Sequence, residues 1–167
     1  MGIALLIYFQ SPQIIIGPNY IETRLELANL LTEEMKELMQ HGVHYEFELY
    51  SSLNIKGKEK KDLIINRQKR KIEYDFLKNT YNLSINDVHV YQTDSLNKIL
   101  KKAKQFHKIY FYCNTSEYQK YSFFAEVRLL ENTIIKKRLK ISTGELWKNH
   151  IPSVKYTFYF RQGKLYD

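Results

Sequence analysis

His44, Glu46 and Glu48 alternate along Val43-His44-Tyr45-Glu46-Phe47-Glu48-Leu49-Tyr50. An imidazole and two carboxylates on one strand face could hold a divalent metal or move a proton. His-x-Glu spacing also occurs in zinc deaminases, but that chemistry needs a downstream Pro-Cys-x-x-Cys, and Cys113 is the single cysteine here. A plainer assignment accounts for the trio. The next strand carries Arg67, Lys69 and Lys71 on one parity. Opposite charges facing each other across a strand pair stabilise it by about 0.2–1 kcal/mol each. The trio is therefore expected to be half of an exposed charge ladder, with no catalytic residue, metal ligand or cofactor site.

The second chemical feature is a run of cations, Lys56, Lys58, Lys60 and Lys61, followed by Arg67, Lys69, Arg70 and Lys71. Together they could contact an anionic partner, either a lipid surface or nucleic acid. The plainer alternative is a solvated hairpin whose lysines discourage edge-to-edge association. Nucleic acid is the weaker partner on this reading, because the aromatic residues fall on the apolar parity of their strands and read as core. Cys113 sits in an aromatic strand and is expected to be buried and inert. His41, His89, His107 and His150 have no ligand spacing.

The elements that would position these groups follow from periodicity. Alternation over 20–27 and 43–50 gives two strands with one wet face each. Thr32 caps a short helix over 33–40, with Gly42 as its stop. A strand over 63–74 pairs with 43–50 as a hairpin around the lysine-rich turn. Asn86-Asp87 turns between short strands at 80–85 and 88–92. Asp94-Ser95 caps a second helix, about 95–105. Further strands are predicted at 108–113, 120–131, 134–141 and from Val154 onward. The pattern is mainly β (α+β), an antiparallel sandwich-like domain with two short helices. Strand 88–92, helix 95–105 and strand 108–112 could instead form a parallel βαβ unit, which makes α/β the alternative.

A chain of 167 residues with 44% hydrophobic residues, fourteen Tyr and nine Phe suits one globular, strand-rich domain. Residues 1–13 are an apolar N-terminal segment, either a first strand or a truncated membrane anchor, and 14–167 are the β-rich domain. The net charge of +8 favours anionic partners and is carried mostly by Lys, a point charge without the planar fork of Arg.

Several segments together resemble a bacterial family, domain of unknown function 4390. They are Gly17-Pro18-Asn19-Tyr20 leading into Leu25-Glu26-Leu27, Leu38 through Gly42-Val43, Phe47-Glu48-Leu49, Arg70-Lys71-Ile72-Glu73-Tyr74-Asp75, Asn79-Thr80-Tyr81, the capped helix after Ser95, and Leu146-Trp147-Lys148. The likeness covers about residues 14–160. It implies a β-rich domain on the periplasmic side of the bacterial inner membrane, tethered by an N-terminal hydrophobic segment; it implies no activity. The chain departs from the family in its short N-terminal run and its wealth of Lys. The expectation is a non-enzymatic envelope domain that binds a protein or lipid through a sheet face or edge. The alternatives are a nucleic-acid-binding module built on the 56–71 hairpin, in which case a cytoplasmic location is open, and an enzyme assembled from distant residues, His44 and Glu46 among them.

Overall fold

The computed structural model describes residues 8–56, 64–113, 119–130, 133–136, 139–142, 152–161 and 164–166. In chain order the elements are β1 (Tyr8–Phe9), β2 (Gln13–Ile16), β3 (Tyr20–Ala28), α1 (Glu33–Gln40), β4 (Tyr45–Lys56), β5 (Ile64–Asp75), β6 (Thr80–Ile85), β7 (Val88–Thr93), α2 (Leu96–Ala103), β8 (Gln105–Tyr112), β9 (Gln119–Leu129), β10 (Thr133–Lys136), β11 (Leu139–Ser142), β12 (Ser153–Arg161) and β13 (Lys164–Tyr166).

The strands form a larger sheet in the order β13-β12-β9-β4-β5-β6-β7, a smaller one centred on β3, and a separate two-stranded sheet of β10 and β11. β1 and β2 run end to end along one edge of β3, and β8 pairs with the other. Every pairing among the described residues is antiparallel. The larger and smaller sheets face one another across a single core. Ile21, Leu25 and Leu27 of β3 and Phe106, Ile109 and Phe111 of β8 come from one side. Leu49 and Leu53 of β4 and Tyr121, Phe123 and Val127 of β9 come from the other. The rings of Phe111 and Phe123 meet edge to face across the gap, 5.9 Å apart.

The mainly β reading, with two helices, holds; the α/β alternative does not. β7 is the edge of the larger sheet, whereas β8 lies in the smaller one. α2 therefore carries the chain between sheets and closes no parallel unit. The expected 95–105 helix ends two residues early because Phe106 must enter the core in register with Leu25, so the chain is extended from Gln105. The strand expected over 134–141 is a hairpin, with Ile134 paired to Ile141. The apolar start of the chain enters as strand at Tyr8–Phe9, while residues 1–7 lie outside the described set. No described helix is long and apolar enough to cross a membrane.

Local chemistry fixes the turns. The Thr32 hydroxyl accepts from the Met35 amide at the start of α1. At its end the Gly42 amide donates to Met39 O and the Val43 amide to Leu38 O, with Gly42 at φ +91°. That is the paired closure a left-handed glycine allows. Asn86 and Asp87 both take positive φ, which matches a two-residue hairpin turn to the twist of β6 and β7. Asn86 also exchanges two hydrogen bonds with the backbone of Lys69, tying the turn to β5.

Two core positions are flawed, Thr23 and Tyr45, each with a buried hydroxyl that lacks a partner among the described residues. Tyr45 is fully buried and its hydroxyl has no hydrogen-bond partner among the described residues. Burial, and then the charge of Glu34, hold this phenol well above its ordinary value of 10.0. Tyr45→Phe is expected to raise stability by about 1 kcal/mol, since an unsatisfied buried group costs about 1–3 kcal/mol. The sign of the pH effect follows from the raised value. Above pH 10 the unfolded phenol ionises while the folded one cannot, so the parent protein loses stability there and the variant lacks that loss. Urea unfolding at neutral and alkaline pH measures both; equal midpoints at neutral pH would count against the assignment.

Candidate functional site

The outer face of the larger sheet is built by the polar parity of β4, β5, β9 and β12. In β4–β5 the register sets Glu46 opposite Lys71, Glu48 opposite Lys69 and Tyr50 opposite Arg67, so two acid–base rungs of the expected ladder are present, while His44 precedes β4 and Arg67 faces a ring. Its ion pairs run partly on the diagonal. Lys69 Nζ lies 2.8 Å from Glu46 and 3.8 Å from Asp87, and Lys71 Nζ lies 2.5 Å from Glu73. The Glu46 bond is the main cause that raises the ammonium of Lys69 above its ordinary value. No cluster of metal-ligating groups occurs among the described residues. His44 and Glu46 line neither of the two grooves described below.

The expected cationic set divides. Lys58, Lys60 and Lys61 lie outside the described residues, and Lys56 is placed by its backbone alone, at the end of β4. Lys69 and Lys71 are neutralised by acids. Arg67 is exposed and on the outer face. Arg70 is corrected: it is 3% exposed and points inward with Ile72, so it has no part in that face. Its guanidinium donates from Nη1 to Lys102 O (3.1 Å) and Ala103 O (2.8 Å), and from Nε and Nη2 to Gln68 Oε1. It lies 3.9 Å from the centre of the Phe106 ring. A cation against the last carbonyls of α2 meets the negative end of the helix dipole.

Aromatic side chains complete the outer face: Tyr50 and Tyr159 keep the outward parity of their strands, and Phe124 joins them, although the aromatic residues as a group read as core. Tyr50 and Phe124 lie side by side, ring centres 6.3 Å apart. Arg67 sits over Tyr50 at 5.8 Å and Lys120 over Tyr159 at 4.6 Å. Lys155 pairs in register with Phe124, and Lys120 with Tyr159. The rings are half-buried. Among the described residues Arg67, Lys120 and Lys155 have no acidic partner. The signal was in the sequence: Phe124 shares parity with Lys120, Ser122 and Glu126, not with Tyr121 and Phe123.

A second aromatic group, Tyr20, Tyr110 and Tyr112, lies on the outer face of the smaller sheet. It surrounds a Glu22–Arg24 pair 2.8 Å apart, so its charge is balanced. Desolvation, then the Glu22 charge, raise the Tyr110 phenol. Cys113 is half-buried, and burial raises its thiol, which keeps it protonated.

Two open grooves flank α2. One, of about 370 Å³, runs between the start of α1 and α2 past Leu30, Lys36 and Leu100. Its Lys36 is paired with Glu33, and its Lys104 with Glu26. That Lys104 contact is also what lowers the Glu26 carboxyl. The other groove, of about 310 Å³, opens beside β7.

Fold and face together define an antiparallel two-sheet domain with an exposed cationic and aromatic sheet surface. No known family model, curated protein or solved structure matches this chain.

Proposed function

We propose that this chain is a non-enzymatic binding domain that lays a single-stranded nucleic acid across the outer face of its larger sheet. The observation that carries the reading is the interleaving of Tyr50, Phe124 and Tyr159 with Arg67, Lys120 and Lys155 on one open surface. Bases stack on aromatic rings whatever their identity, and cations beside the rings track the phosphates. Lysine point charges and a net charge of +8 suit contact that is not sequence-specific.

Fluorescence anisotropy with labelled oligothymidine, with its duplex as the control, tests the reading. Preference for the single strand is expected. The double variant Tyr50→Ala, Phe124→Ala is expected to weaken binding by about 1–3 kcal/mol for each base that loses its ring. Arg67→Ala is expected to lower the salt slope by about one. Equal affinity for the duplex, or binding indifferent to both variants, would refute stacking.

A second reading keeps the face and changes the partner. Ile65 is 50% exposed near the start of β5, on the same parity as Arg67. An apolar side chain among cations suits an anionic lipid surface. The resemblance to domain of unknown function 4390 favours this setting, on the periplasmic side of an inner membrane. Co-sedimentation with phosphatidylglycerol vesicles, against phosphatidylcholine vesicles, decides it; retention by neither rejects it.

A further inference from the structure

The groove beside β7 combines three features that the sheet-face reading leaves unused. First, it is lined on its apolar side by Leu83, Ile85 and Val90 and on its polar side by Arg70, Lys102 and His107. Second, Arg70 is a buried cation with no carboxylate partner among the described residues; only carbonyls, an amide and a ring surround it. A buried charge balanced by dipoles alone leaves a positive field in the groove, which favours an anion there. Burial lowers the Arg70 guanidinium to about 10, which leaves it charged at neutral pH. Third, β7 ends the sheet, and no described strand pairs with its outer edge.

That edge lacks the usual protection. Val88-His89-Val90-Tyr91-Gln92-Thr93 contains no Lys, Asp, Glu or Pro, the residues that blunt exposed strands. Val88 is 64% exposed and Val90 47%. The pairing of β6 with β7 is shifted between Leu83 and Ser84, so that Leu83 faces Tyr91 and Ser84 faces His89. Val90 is thereby the extra residue at the bulge, and it borders the groove. A second bulge, where β8 passes Arg24 with Lys108 at φ +60°, lies next to His107. Bulges commonly re-aim side chains beside binding sites.

We infer that β7 accepts an extended acidic peptide as an added strand, with one of its carboxylate side chains directed into the groove toward Lys102 and His107. Backbone hydrogen bonds to the β7 edge supply affinity, and the groove selects the side chain that alternates into it. The charge of the groove selects an acid. A second copy of this chain does not fit, because β7 brings no acid to a self-pairing.

The test uses the full chain and a fluorescein-labelled peptide of alternating valine and aspartate, capped at both ends. Saturable binding is expected, and Lys102→Glu and His107→Glu, both at exposed positions, are each expected to weaken it roughly tenfold. A peptide with lysine in place of aspartate is expected not to bind. A peptide with N-methylated backbone amides, unable to donate to the edge, is expected to lose binding as well. Excess oligothymidine is expected not to compete, which keeps this site separable from the sheet face. Equal binding of the acidic and basic peptides, full binding of the N-methylated peptide, or no saturation at millimolar peptide would each overturn the inference.

Discussion

Arg70→Ala is expected to lower the stability of the folded protein by about 3 kcal/mol, measured as a shift in the urea midpoint at constant slope. The loss has identifiable parts. Two acceptors at the end of α2, Lys102 O and Ala103 O, lose their donor. Orphaned buried acceptors cost about 1–3 kcal/mol each. The negative end of the helix loses its cation, and Phe106 loses the guanidinium over its ring. A void replaces the side chain. Against these stands the recovered solvation of a buried charge, which is several kcal/mol by itself and keeps the net loss below the sum. Arg70→Met separates the contributions. It refills the volume and leaves the carbonyls bare, so an intermediate loss is expected. A methionine variant as stable as the parent would mean that α2 does not need the cation, leaving ligand binding as the reason for an arginine there. Amide exchange in the last turn of α2 provides a local check, since fraying without the cap is expected there.

Phe123→Ala is expected to cost about 3–5 kcal/mol, the range for emptying a large aromatic site in a packed core. Phe123 is fully buried in β9, in register with Leu53 of β4 and Tyr156 of β12, and it meets Phe111 of the opposite sheet. No other element can collapse into its place without moving a strand, so relaxation is limited. Phe123→Leu keeps most of the volume and is expected to cost less than about 1.5 kcal/mol. Thermal unfolding of the pair measures the difference. A small loss in the alanine variant would mean that the sheets are not in close contact at this point.

These expectations rest on features that differ in how openly the sequence displays them. The β4–β5 hairpin was readable as a pairing, because Val43-Tyr45-Phe47-Leu49 and Arg67-Lys69-Lys71 alternate without interruption, but not to its register. The caps at Thr32 and Ser95 and the Asn86-Asp87 turn were readable because each depends on one residue type at one backbone position. The division into two sheets was not. Alternation reports which side of a strand is buried; it does not report what buries it, and β7, α2 and β8 fit a parallel crossover as well as a passage between sheets. The candidate site was half-visible. Arg67, Lys69 and Lys71 share a parity, and that fact already assigns Arg70 to the other side with Ile72; reading the cations as one cluster hid it. Phe124 was hidden by its type, since an aromatic residue in a strand is more often core. The groove at β7 is assembled from β5, β6, β7, α2 and β8, and no local pattern encodes such a meeting.

The middle of the larger sheet joins distant parts of the chain. β4 pairs with β9 from Phe47 with Leu129 to Lys56 with Lys120, whereas β5, β6 and β7 form a run of neighbouring hairpins. Everything from β5 to β8 must be gathered before the central pair can close, and loop-closure entropy opposes that step until it is complete. Such topologies fold in milliseconds to seconds, more slowly than helical domains of similar stability. The hairpins can form early, and until β9 arrives the far edge of β4 is an open template. During that interval the protein is most exposed to pairing with its neighbours, and the interval is set by the order of the strands.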